Sequence, residues 1–93
     1  MKVVITARAE EDLEDIVLDI AHASVERALI FTRELRQSCL ELSDHPFRFQ
    51  RVEHFARFGV RRRVHGNYLI FYRPVNGTVE VLRILHGAMN YES

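Results

Sequence analysis

Apolar positions recur along this chain at two different spacings, and the change of spacing divides it. In the first half they return every three or four residues: Ala9, Leu13, Ile16, Val17 and Ile20, then Ala28, Phe31, Leu35, Cys39 and Leu42. At about 100° per residue each set falls within one stripe, so two amphipathic helices are expected. From Gly59 onward the pattern is three strand-like runs, GVRRRVH, NYLIFYRP and TVEVLRILHG, separated by Gly66-Asn67 and Asn76-Gly77. A Gly-Asn loop suits a type II′ hairpin turn and Asn-Gly a type I′ turn, because these turns need positive φ at one or both central positions. The β-branched run Lys2 to Ile5 reads as a further, short strand at the start.

Local signals place the helix ends. Thr6 is positioned to cap the first helix, and Glu10, Glu11, Asp12, Glu14 and Asp15 follow in its first turns. The helix dipole favours negative charge there, and these acids are expected outside the apolar stripe. The helix should end near residues 21–23. Ser24 should cap the second helix, which runs to about Ser43 before Pro46 stops it. Residues 44–58 have no clean period and read as a loop pinned to the core by Phe47, Phe49, Phe55 and Phe58. The order is β-α-α-β-β-β: an α+β fold, with a helical hairpin packed on one face of a small, mainly antiparallel sheet. One domain spanning residues 1–93 is expected. The first strand must join an edge, beside either the second strand or the fourth.

Taken literally, the two turns set the strand register. They pair 61 with 72 and 63 with 70, then 73 with 80, 71 with 82 and 69 with 84. One face then carries Val64, Leu69, Phe71, Leu82 and Ile84, an apolar set that reads as the core face. Arg73 lies opposite Glu80 as a complementary cross-strand pair. The other face carries Arg61, Arg63, His65, Tyr68, Tyr72 and Arg83, with Ile70, Val81 and Leu85 among them. Such a face is either the ordinary solvated side of an antiparallel sheet or a recognition surface. A similar choice arises on the second helix. Leu29 and Leu40 fall outside its stripe, near Arg33 and Arg36, and either fill an irregular core edge or form an exposed strip for a partner.

Composition narrows the classes. The chain has 93 residues, 47% of them hydrophobic, which suffices for one core without covalent staples. No apolar run reaches the roughly 18 residues of a membrane span, and the N-terminal apolar run is too short for a signal peptide, so a cytoplasmic protein is expected. The single cysteine, Cys39, excludes an internal disulfide and reads as a small buried hydrophobe. The five histidines show no two-His helical spacing, so neither a metal site nor a cofactor is expected. Net charge is zero, but residues 1–45 hold five basic residues against ten acids, and residues 46–93 hold eight arginines against three acids. An acidic helical half and a basic sheet half follow, with a partner meeting the basic side.

Four words carry a family resemblance: AEEDLEDI on the first helix, ERALIFTRELR on the second, NYLIFYR on the third strand and VEVLRILHGAMN at the end. With the element order, they resemble the ParE branch of the RelE/ParE toxin superfamily of bacterial toxin–antitoxin systems, often called plasmid stabilisation proteins. The resemblance implies a toxin neutralised by a cognate ParD-like antitoxin that wraps over it. It also implies inhibition of DNA gyrase, whereas the RelE branch cleaves messenger RNA on the ribosome.

The two activities need different chemistry. A gyrase poison needs a binding surface. A ribonuclease needs a general base, a general acid and cations on the phosphate. For the second, Arg61 and Arg83 would hold phosphate while His86 or Tyr91 moved a proton. Lys2 is the only lysine, however, and Glu80 faces Arg73, so the ribonuclease is the alternative and a protein-binding toxin the main reading. A non-toxic antitoxin-binding module is a third. Direct DNA binding by this chain alone is not expected, given zero net charge and no basic recognition helix. The expected partner surface comprises Arg61, Arg63, His65, Tyr68, Tyr72 and Arg83 with Leu29, Arg33, Arg36 and Leu40, crossed by an acidic amphipathic antitoxin segment.

Overall fold

A computed structural model describes residues 1–88 of the chain; Tyr91 lies outside them. Its elements are β1 (Lys2–Ile5), α1 (Ala7–Ala21), α2 (Val25–Leu40), two 3-10 segments (Glu41–Ser43 and Glu53–Phe58), β2 (Arg61–His65), β3 (Tyr68–Val75) and β4 (Thr78–His86). The helices begin where their caps require. The Thr6 hydroxyl accepts from Ala9 N–H, and the Ser24 hydroxyl accepts from Arg27 N–H. The turns also take the expected form. Asn76 and Gly77 sit at φ 49° and 76°, and Gly66 at 58°, the left-handed region that type I′ and II′ hairpins demand.

The sheet order is β1-β4-β3-β2. β1 lies parallel to β4, and the other pairs are antiparallel. This answers the question of the first strand: it sits beside β4, with Ile5 opposite Val81. The β2–β3 register is the one expected, Arg61 opposite Tyr72 through His65 opposite Tyr68. The β3–β4 register starts as expected, with Val75 opposite Thr78 and Arg73 opposite Glu80, then shifts by one residue between Phe71 and Tyr72. Phe71 pairs with Arg83 instead of Leu82, and Ile70 with Ile84 instead of Arg83. The extra residue is a β-bulge, and it reverses which side chains face the helices beyond it. Without it, period two would carry Arg83 towards the core. With it, Ile84 enters the core instead.

A larger correction concerns the faces. The helices cover the side that carries Ile70, Tyr72, Val79, Val81 and Ile84, which pack with Ala9, Leu13, Ile16, Leu35, Cys39 and Leu42. That is the face expected to bear the exposed arginines and tyrosines. The apolar face expected to be the core is the outer one: Leu69 and Phe71 are buried there against Val52, Val60 and Leu85, while Val64 is 63% exposed. The loop anchors divide in the same way. Phe49 packs on the helix-side core, but Phe47, Phe55 and Phe58 are exposed.

Cys39 is fully buried, as its stripe position requires. Burial pushes its thiol up to about 12 from an ordinary 9.0. The folded chain therefore keeps a proton that the unfolded chain releases, so stability is intact below pH 9 and is lost as pH rises towards 12. One such group costs about 1.4 kcal/mol per pH unit in that window. Urea midpoints measured across this range should fall less steeply for Cys39→Ala than for the native chain. Parallel profiles would show that the thiol does not drive alkaline destabilisation.

Candidate functional site

The basic residues of the sheet are tied to the rest of the chain. β2 is an edge strand, and its inward arginines reach past the core to backbone acceptors at the end of α2 and in the loop beyond it. Arg61 donates to the carbonyls of Phe47 and Phe49, at 3.2 and 2.7 Å. Arg63 donates to the Ser38 carbonyl at 2.8 Å and pairs with Glu41 at 3.0 Å. Carbonyls in the last turn of a helix lack intrahelical donors, so an arginine is well matched to them. His65 Nδ1 lies 2.6 Å from the Ser38 hydroxyl, with its ring edge-on to Phe31. Tyr68 packs on Phe31 and against His86. Tyr72 is fully buried and donates its hydroxyl to the Pro46 carbonyl at 3.0 Å. Burial raises its pKa, although Arg61 opposes that.

Arg83 turns at the bulge to meet α1. Its Nε and Nη2 donate to the two oxygens of Asp12 at 2.9 and 3.1 Å. Asp12 also accepts from the Ile84 backbone N–H at 2.9 Å. The carboxylate is 6% exposed and holds three charge-assisted bonds, a geometry that compensates its burial. The bond to Asp12 is the main cause of the raised Arg83 pKa. The expectation that the acids of the first helix lie outside its buried side thus fails at Asp12. Its place in the sequence carried a signal: three residues after Ala9 and four before Ile16, it shares their side of the helix.

His86 is exposed, and its Nδ1 accepts from the Ala88 N–H at 3.1 Å. It does not meet a carboxylate that would complete a base–acid pair with Arg83 among the described residues. Among those residues there is also no group of three His, Cys, Asp or Glu side chains able to hold a metal ion.

Apolar surface is exposed on the sheet and on α2. On the outer sheet face, Phe55, Val60, Phe71, Leu82, Arg83 and Leu85 line a shallow apolar hollow of about 290 Å³. Arg62 stands on the same face, opposite Phe71 in the register, and Arg57 lies over the Phe58 ring nearby in sequence. Sequence reasoning missed this site because it assigns Phe71 and Leu82 to the interior and Phe55 to a core anchor, and sets Arg83 and Leu85 on the opposite face. The second surface is the outer side of α2, where Leu29 is 57%, Ile30 47% and Leu40 46% exposed. The alternative of an exposed strip therefore holds for Leu29 and Leu40. Arg33 is exposed beside them, whereas Arg36 forms a two-bond pair with Glu10 at 2.7 and 3.0 Å.

A helical hairpin on one face of a small mixed sheet, with β1 added parallel at one edge, is the architecture of the toxins of the RelE/ParE superfamily. The model of the family described as ParE toxin of type II toxin–antitoxin system, parDE, matches residues 3–91. The chain belongs to this family. It is similar to Toxin ParE1 of Caulobacter vibrioides, with 37% identity over 87 residues, covering 92% of this chain and 88% of that one. Among solved structures it resembles the chromosomal ParDE toxin–antitoxin system from P. aeruginosa, at a TM-score of 0.79 and 20% identity, over 92% of this chain and 95% of that one. It also resembles the toxin–antitoxin complex RelBE2 from Mycobacterium tuberculosis, at a TM-score of 0.58 and 28% identity, over 91% and 95% of the two chains. No helix among the described residues is long and apolar enough to cross a membrane.

Removing Arg83 strands a buried carboxylate. Breaking such a pair costs about 3–5 kcal/mol when both partners are buried, and Arg83 is about one-third exposed, so Arg83→Ala should cost about 2–3 kcal/mol. The melting temperature should fall by roughly 10 °C or more. Arg83→Ala combined with Asp12→Ala should be less destabilised than the sum of the two single variants. Additive losses would show that the pair is not coupled.

Proposed function

We propose that this protein is the toxin of a type II pair, held inactive by a ParD-like antitoxin and acting in the cytoplasm by binding DNA gyrase. It works as a protein ligand of its target and not as a nuclease. One observation carries the second statement. The cations that would form a phosphate site are engaged internally: Arg61 on loop carbonyls, Arg63 on the end of α2 and Arg83 on Asp12. Moving them to a scissile phosphate would break bonds that hold the helices and the loop after α2 to the sheet. Family membership supports the toxin role, and the resemblance to two toxin–antitoxin complexes supports an antitoxin partner.

The antitoxin contact is placed on the outer sheet face. An acidic amphipathic segment would set apolar side chains into the hollow between Phe55 and Leu85, with its carboxylates towards Arg57. Charge of one sign around an apolar floor favours a partner of the opposite sign.

The activity is tested by adding the purified chain to gyrase supercoiling and cleavage assays, in parallel with ribosome-dependent messenger cleavage. Gyrase-linked DNA breaks with intact transcripts are expected. Cut transcripts with unaffected gyrase would replace this reading by the ribonuclease. Inactivity in both, with tight antitoxin binding retained, would leave a binding module. For the contact, Phe55→Ser should weaken antitoxin binding about tenfold, the scale of one buried aromatic anchor. Arg57→Glu should lower the association rate and flatten its salt dependence. Native values in both variants would move the contact off this face.

A further inference from the structure

The outer side of α2 has a charge pattern unlike that of the sheet. Glu26 and Arg33 are both exposed, and neither forms an ion pair among the described residues. Seven residues separate them, about two helical turns, so they project from the same side. Midway between them are Leu29 and Ile30, two of the most exposed large apolar residues of the helix. The order along the ridge is acid, apolar pair, base. Reversed end to end, the same ridge reads base, apolar pair, acid. It is therefore complementary to itself in antiparallel alignment.

From this we infer that α2 is a homodimer surface, in which a second copy of the chain packs antiparallel across a two-fold axis passing between Leu29 and Ile30. Leu29 of each protomer meets Ile30 of its partner at the centre. Glu26 of each faces Arg33 of the other, giving two equivalent ion pairs that close the apolar centre at both ends. A two-fold contact uses the same patch on both molecules, so each favourable pair occurs twice. An acidic partner segment is a poor fit here, because Glu26 and Glu34 stand on the exposed side among the arginines. The sheet hollow has no such acids in its lining. Mixed charge thus selects a second copy on α2, independently of what covers the sheet.

One helix pair buries less surface than a standard stable complex, so a dissociation constant of about 10 μM or weaker is expected. Sedimentation equilibrium of the full chain over a concentration series, up to about 0.5 mM, spans that range. The decisive variants are charge reversals, at exposed positions that leave the fold intact by circular dichroism. Glu26→Arg and Arg33→Glu should each weaken the dimer about tenfold or more, since each places like charges together twice. The double variant Glu26→Arg/Arg33→Glu should restore it. Ile30→Asp should leave a monomer. A native chain that stays monomeric throughout overturns the proposal. So does a dimer that ignores the single reversals, or a double variant that fails to recover, because either places the contact on another face.

Discussion

The carboxylate of Asp12 holds the two layers of this fold in one relation. β1 accompanies β4 only as far as Val81, so β4 continues to His86 with one edge uncovered. A buried N–H on that edge needs an acceptor. The chain supplies it from the helix that follows β1 directly. Thr6 bonds the Val81 carbonyl with its N–H and its hydroxyl, and Asp12 then takes the Ile84 N–H and the Arg83 guanidinium. The bulge belongs to the same arrangement. It moves Arg83 out of the core row, where it would be an uncompensated cation, and turns it towards the Asp12 carboxylate.

The elements themselves were legible in the sequence. Caps at Thr6 and Ser24 and the two turn pairs are local signals, and local chemistry decides them. What stayed hidden depends on contacts between distant residues. The bulge at Leu82 has no residue signature, because its cause is Asp12, about seventy positions earlier. The assignment of faces failed for a related reason. Arginine on a strand ordinarily marks an exposed face, yet Arg61 and Arg63 lie on an edge strand and span the rim of the core to find carbonyls. A long cationic side chain with a matched acceptor is compatible with the covered face of a sheet.

The uneven charge of the two halves reads differently in three dimensions. Zero net charge conceals a direct neutralisation: Arg83 and Arg63 of the sheet half meet Asp12 and Glu41 of the helical half. These arginines act as fasteners between layers. The cationic character left for a partner belongs to exposed Arg48, Arg51 and Arg57, the last lying over the exposed Phe58 ring. The helical half retains acids and bases in near balance along α2. The two sides of the molecule therefore differ in the kind of surface that could recognise them.

The parallel pairing of β1 with β4 also dictates an order of assembly. Lys2–Ile5 is synthesised well before its strand partner, Thr78–His86. Helices and hairpins form locally and early, whereas this junction must wait for β4 and carries a large loop-closure cost. A nascent or shortened chain ending before Thr78 has no strand to receive β1 and no Arg83 or Ile84 to engage Asp12. Synthesis past Thr78 is therefore a precondition of the finished fold.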